Sequence, residues 1–215
     1  MNTKIPTFII NLEKRYDRRI HIQNEFEKRN EFDFRIVSAT QHNIGAIGLW
    51  KTMRNIIEQA KMENYDYILI CEDDHQFTDN YNESLFIKTI HDANKLQADL
   101  LLGGVSYFED AVELDKGLFW LNKFTGTQFF IIYKRFFDIF LNITLNDDDN
   151  IDLKINEISD QLYCLYPFIS IQKEFGYSDV TQKNEGSGTV NDYFHTTTKR
   201  LATLSYLKTY FEELK

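Results

Sequence analysis

The chain predicts an α/β fold built on a mainly parallel sheet, and three observations carry that reading. Short runs of β-branched and aromatic residues alternate with helix-period segments through the first hundred residues. Two of these runs, residues 7–12 and 67–71, are apolar at nearly every position, as strands buried on both faces are. Hydrophobic residues make up 43% of the 215 and aromatics 15%, against 9 glycines and 2 prolines, so there is material for a sizeable core and little for linkers.

The elements follow in order. Residues 7–12 form the first strand, and Asp17 then caps or opens a helix carrying Ile20, Ile22 and Phe26 towards Arg29. Residues 34–37 are a short strand ending at Ser38. Residues 44–62 have a helical period through Ile47, Trp50, Ile56, Ile57 and Ala60. Residues 67–71 make the third strand, 81–95 a helix, and 100–102 a strand closed by Gly103 and Gly104. Strand–helix alternation of this kind implies right-handed crossovers.

The second half changes character. Residues 118–123 and 128–133 are extended around Phe124, Thr125, Gly126 and Thr127, as a hairpin or as an addition that makes the sheet mixed. Helices are expected at 135–141 and 151–158, extended segments at 162–166 and 169–172, and a flexible loop at 183–190. An amphipathic helix with Leu201, Leu204, Leu207 and Phe211 covers 199–214. Its polar face carries both signs of charge, which favours packing on the core or pairing of subunits over a lipid surface.

Net charge is −9, which argues against nucleic acid or an anionic membrane as main partner. The charge is uneven: residues 1–60 carry +3 and the remainder −12, and Lys14, Arg15, Arg18 and Arg19 cluster directly after the first strand. Cys71 and Cys164 both fall in apolar runs without metal-type spacing, so two buried free thiols are expected. No stretch approaches the ~18 consecutive apolar residues of a membrane span, and the first residues lack a signal-like apolar segment. A soluble, cytoplasmic protein is the expectation.

The chemistry concentrates at Glu72-Asp73-Asp74, where the third strand stops. Side chains at the carboxyl end of such a strand emerge at the crevice where open α/β sheets bind ligands. Three adjacent carboxylates repel one another unless something positive sits among them, and a divalent cation shared with a phosphate-bearing substrate is the usual solution. Taken alone, the same triplet also reads as an acidic loop after a core strand.

Several separated segments coincide with one pattern. They are Phe8-Ile9-Ile10-Asn11-Leu12 with Arg15-Tyr16-Asp17-Arg18-Arg19, then Val37-Ser38-Ala39, then Gly45-Ala46-Ile47-Gly48, then Ile68 to Asp74. Further on come Gly126-Thr127-Gln128-Phe129-Phe130-Ile131-Ile132, then Ile151-Asp152-Leu153, and Tyr166-Pro167 through Gln172 to Ser178-Asp179-Val180. In this order the chain resembles glycosyltransferase family 25, which includes lipopolysaccharide-biosynthesis enzymes, collagen galactosyltransferases and viral relatives.

The resemblance implies a GT-A type α/β/α sandwich in one domain. Residues 1–104 would be its nucleotide-binding half, 105–198 a smaller mixed acceptor-side half, and 199–215 a terminal helix. It implies an inverting hexosyltransferase with Mn²⁺ or Mg²⁺ at a DXD-type motif, a UDP-sugar donor and a glycan or other hydroxyl acceptor.

Asp74 is then the expected direct metal ligand. Glu72 would face the ribose or a metal-bound water, and Asp73 would be a second ligand or a structural acid. Asn11, Leu12 and Ser38 fall in the donor-side segments. Arg15, Arg18 and Arg19 are candidates for the diphosphate or the uracil edge, because a guanidinium suits bidentate oxygen recognition. Asp152 is the candidate base, with helix capping as its other reading, and Asp179 or His195 would complete the metal's contacts. His75 adjoins the triplet, and Trp50, Tyr107, Phe108 and Trp120 are candidate stacking walls or core. A sugar nucleotidyltransferase and an inactive nucleotide-binding relative are the alternatives.

Overall fold

The computed structural model describes residues 4–176 and 188–214. Its elements are β1 (Ile5–Asn11), α1 (Tyr16–Phe26), β2 (Phe32–Ser38), α2 (Gly45–Met62), β3 (Tyr67–Glu72), β4 (His75–Phe77), α3 (Glu83–Lys95) and β5 (Leu100–Leu102). They continue with β6 (Tyr107–Asp115), β7 (Leu118–Thr125), β8 (Phe129–Tyr133), α4 (Lys134–Leu141), α5 (Ile151–Ile158), β9 (Leu162–Leu165), β10 (Ser170–Gln172) and α6 (Thr189–Glu213).

Among the described residues, eight strands form one sheet in the order β2-β1-β3-β8-β5-β9-β7-β6. Only β7 and β8 run against the other six, so the sheet is mixed and mainly parallel in strand direction, as expected. β4 and β10 make a separate two-stranded antiparallel pair.

Alternate side chains of the central strands serve opposite layers. Phe8, Ile10, Ile68, Ile70, Phe130 and Ile132 enter a core with α2, α4, α5 and α6. Ile9, Leu69, Cys71, Phe129 and Ile131 enter a second core with α1 and α3. Burial on both faces is why these strands read as unbroken apolar runs. Cys71 and Cys164 are buried and free, as expected.

The structure decides one alternative and departs from the sequence reading elsewhere. The extended runs around Phe124 and Thr125 are the mixed-sheet addition and not a hairpin: β7 pairs with β6 and β9, while β8 is inserted between β3 and β5. β6 carries acidic residues and little apolar alternation, so no strand was legible there; it sits at the sheet edge, held by β7 and by Arg200, which donates to the carbonyls of Phe108 and Glu109 at 2.7 and 2.8 Å. The last helix starts at Thr189 rather than 199, because Val190, Phe194, Thr197 and Leu201 continue its buried stripe. Most of the expected 183–190 loop lies outside the described residues.

Close approach explains one glycine pair. A Cβ on Gly104 would lie 2.1 Å from the carbonyl oxygen of Ser170, whose own N–H donates to the Gly103 carbonyl at 3.1 Å. The pair lets β10 cross the end of β5.

Candidate active site

Four segments leave or enter the sheet at one edge. Asn11 at the end of β1 pairs with Ser38 at the end of β2, and Ile10 pairs with Glu72 at the end of β3. The segment entering β8 arrives beside them, since Phe129 pairs with Cys71 and the Glu72 N–H donates to the Gln128 carbonyl at 2.9 Å. A cavity of about 1230 Å³ opens there, and Glu72, Asp73, Asp74 and Asp152 all line it.

The positive group among the acids comes from the chain itself. Arg18 is buried, and its Nη1 donates to Asp73 Oδ1 at 3.1 Å and to Asp74 Oδ2 at 3.3 Å. Asn11 Nδ2 donates to the other Asp73 oxygen at 2.7 Å. Asp73 is therefore held on both oxygens. Asp74 Oδ1 is buried and has no hydrogen-bond partner among the described residues. Glu72 Oε1 accepts from the Thr127 hydroxyl at 2.7 Å.

Burial pushes the Glu72 carboxyl up to about 8, with the Asp74 charge adding to the rise. Burial also pushes Asp74 up to about 6, against the opposing pull of Arg18. Burial is the main cause of both rises, and neighbouring carboxylates add to each.

Those residues fit a divalent cation of one kind. Mg²⁺ and Mn²⁺ commonly use one or two carboxylates and complete their shells with phosphate oxygens and water. Among the described residues no group of three or more His, Cys, Asp or Glu forms a ready cage. The open oxygen of Asp74, with Glu72 close enough to feel its charge, suits a cation that arrives with a phosphate-bearing ligand.

Asp152 stands in the first turn of α5. Its Oδ1 accepts from the Leu153 N–H at 2.9 Å and its Oδ2 from the Gly126 N–H at 3.4 Å, and burial raises its pKa. Adjacent residues thus touch both acidic groups: Gly126 bonds Asp152 while Thr127 bonds Glu72.

The other expected site residues divide. Leu12 lines the cavity with Lys14 and Arg18. Arg15 is the N-cap of α1, and neither it nor Arg19 is among the described residues that line the cavity. Packing explains the choice, because Arg18 shares the buried stripe of Ile22 and Phe26 at helical spacing. Ser38 turns away, donating its hydroxyl to Glu13 at 3.0 Å.

His195 is exposed on α6 and is not brought to the acids; that helix offers Val190 and Tyr193 to the cavity instead. Asp179 lies outside the described residues. His75 is buried beside the triplet with Nδ1 2.8 Å from Ser170 Oγ, stacked on Phe129, and does not line the cavity. Phe108 belongs to the core, Trp120 donates to the Asp160 carbonyl at 2.6 Å, Trp50 packs partly buried against the core, and Tyr107 alone of the four aromatics reaches the cavity.

Sequence reasoning missed the far side of the site. The Lys173 N–H donates to the Asp74 carbonyl at 2.7 Å, and the ring of Phe175 lies 5.0 Å from the Arg18 guanidinium carbon. The Glu174 carboxylate accepts from the N–H groups of Gly188, Val190 and Asn191 at 2.7, 2.8 and 3.2 Å, tying the exit of β10 to the start of α6. Only Glu174 left a signal, an acid ahead of a helix whose N-cap is glycine.

No protein-family model matches the chain, and no curated protein matches it. Solved structures do resemble it. A197 from STIV superposes with a TM-score of 0.52 at 16% identity, over 80% of this chain and 86% of that one. A glycosyltransferase involved in the glycosylation of the major capsid of PBCV-1 gives 0.49 at 13% identity, over 73% and 76%. Apo UDP-glucose pyrophosphorylase gives 0.46 at 12% identity, over 90% and 82%. At these identities the likeness to A197 is one of fold alone.

Proposed function

We propose that this chain is a glycosyltransferase that moves a hexose from a UDP-sugar to a hydroxyl of a glycan or similar acceptor, with inversion and with Mn²⁺ or Mg²⁺. One observation carries the reading: Glu72, Asp73 and Asp74 share a single cavity with Asp152, and Gly126 and Thr127 hydrogen-bond to both groups. The segments that resemble glycosyltransferase family 25 supply every one of these residues.

Asp74 Oδ1 and Glu72 would hold the cation. When bound, the cation supplies Lewis-acid neutralisation of the leaving diphosphate. Arg18 fixes Asp73 and Asp74 in place, and Lys14 and Lys173, which line the same cavity, add positive charge for phosphate oxygens. Asp152 takes the proton of the acceptor hydroxyl as that oxygen bonds to the anomeric carbon. The anomeric C–O bond to phosphate breaks, and its electron pair leaves with UDP. Burial makes Asp152 a stronger base than an exposed carboxylate.

The test is a melting-temperature titration with UDP, UDP-glucose, UDP-galactose and GDP-mannose, each with and without Mn²⁺, followed by UDP release with the best donor. A cation-dependent rise with one UDP-sugar is the expected result. No rise with any nucleotide would sink the proposal. Binding without UDP release, from any acceptor or from water, would favour an inactive nucleotide-binding relative, in which the Arg18 contacts serve structure alone.

A further inference from the structure

The cavity is chemically divided. Of its cations, Arg18 touches Asp73 and Asp74, Lys173 donates its N–H to the Asp74 carbonyl, and Lys14 stands just ahead of α1. The region around Asp152 is different. Ser106, Tyr107 and Thr125, which stand beside Gly126, and Asn150, two residues ahead of Asp152, line the cavity there and are all neutral; Tyr193 also lines it.

The two tyrosines belong to one rim. Tyr107 pairs with Thr125 in the β6–β7 ladder, one residue from Gly126, whose N–H reaches Asp152. Tyr193 is set by α6, where the Thr197 hydroxyl lies 2.9 Å from the Val105 carbonyl and 3.0 Å from the Tyr193 carbonyl. That contact docks the helix two residues before Tyr107. Tyr107 is 50% exposed and Tyr193 45%, although both line a cavity. A large ring left half in water at a concave site is available to a ligand.

We infer that Tyr107 and Tyr193 form the acceptor platform and that the acceptor is an uncharged pyranose ring. The inference rests on the glycosyltransferase reading, from which Asp152 takes its role. A pyranose presents an apolar C–H face to an aromatic ring and a rim of hydroxyls to neutral donors and acceptors. Ser106, Thr125 and Asn150 provide those partners. A phosphorylated or carboxylated acceptor would find no cation in the lining beside Gly126, since Lys123 and Lys154 stand outside it and pair with Glu109, Asp149 and Glu157, and its charge would lie against Asp152.

Saturation-transfer NMR on the whole protein tests this. The probes are the methyl α- and β-pyranosides of glucose, galactose and mannose, with glucose 6-phosphate as the charged control, all in the presence of UDP and Mg²⁺. At least one methyl pyranoside should receive saturation. Tyr107→Ala and Tyr193→Ala should each weaken that signal at least about fivefold, and Tyr193→Phe should keep it. UDP affinity should be the same in all three variants, which also shows that they fold. UDP binding with no pyranoside signal, a signal unchanged in the double alanine variant, or a preference for glucose 6-phosphate would overturn the acceptor platform and leave the donor reading standing. A tyrosine-dependent pyranoside signal without UDP binding would keep the sugar site and remove the donor.

Discussion

Arg18 and Asp73 lie 3.1 Å apart through Nη1 and Oδ1, with side chains 10% and 9% exposed, although 55 residues separate them in the chain. The contact joins the first turn of α1 to the loop after β3, so the basic cluster and the acidic triplet are halves of one device. Removing one partner of a buried ion pair leaves the other charge uncompensated, typically at a cost of about 3–5 kcal/mol. Arg18→Met is expected to lose stability on that order in chemical denaturation. Arg19→Met, one residue on and outside the cavity lining, is expected to change it by less than about 0.5 kcal/mol. Equal losses would mean that the helix, not the ion pair, is what matters.

Asp74 separates cation binding from folding. Asp74→Asn keeps the side chain's size and an acceptor for Arg18 but removes the charge beside the open Oδ1. The expected result is a folded protein whose melting temperature no longer rises further when Mn²⁺ is added to UDP. Isothermal titration should show the Mn²⁺-dependent part of UDP affinity reduced at least about tenfold. Asp73→Asn is expected to act on stability instead, because both Asp73 oxygens are already held by Asn11 and Arg18.

Asp152→Asn addresses the base. General-base catalysis commonly contributes about 10²–10⁴-fold. Turnover should fall by that order while UDP affinity stays within about twofold, since the hydrogen bonds of Asp152 run to Gly126 and Leu153 and not to Arg18 or the β3 acids. A matching loss of UDP affinity would return Asp152 to helix capping.

The pH dependence follows from Glu72. Its carboxyl titrates near 8 in the folded chain because burial and the Asp74 charge oppose ionisation, whereas an unfolded glutamate titrates near 4.5. The folded state therefore holds the extra proton between those values. Its stabilising effect is fully present below about 4.5 and is lost as pH rises through about 8. Glu72→Gln, which preserves an acceptor for Thr127, should match the wild type at pH 4.5. Without divalent cation at pH 8.5 it should exceed the wild type in stability by on the order of 5 kcal/mol. Added Mn²⁺ should narrow that difference, and denaturant melts across the range would measure it.

Much of the frame was legible before any coordinates. The runs at residues 7–12 and 67–71 are apolar because both faces of β1 and β3 are covered, and a triplet of acids after such a strand must surface at its end. Helical stripes such as Ile47, Ile56, Ile57 and Ala60 in α2 repeat at a local period that the sequence carries in full. β6 was not legible, because its stability comes from β7 and Arg200 rather than from a pattern of its own.

The sequence by itself determined most of the strands and helices, β4, β6 and the start of α6 excepted, and that charge of both signs would collect near the carboxyl ends of the first strands. Those are local properties of period and composition. Tertiary structure decided which charges meet. Three arginines lie within five residues, and the burial of Ile22 and Phe26 turns Arg18, not Arg15 or Arg19, towards Asp73. His195 was carried away from the acids because the stripe through Val190, Phe194 and Leu201 fixes how α6 is rotated, and that rotation presents Tyr193 to the cavity. Such choices depend on how a helix is rotated against a sheet formed by residues far along the chain, and no short stretch of sequence encodes that angle.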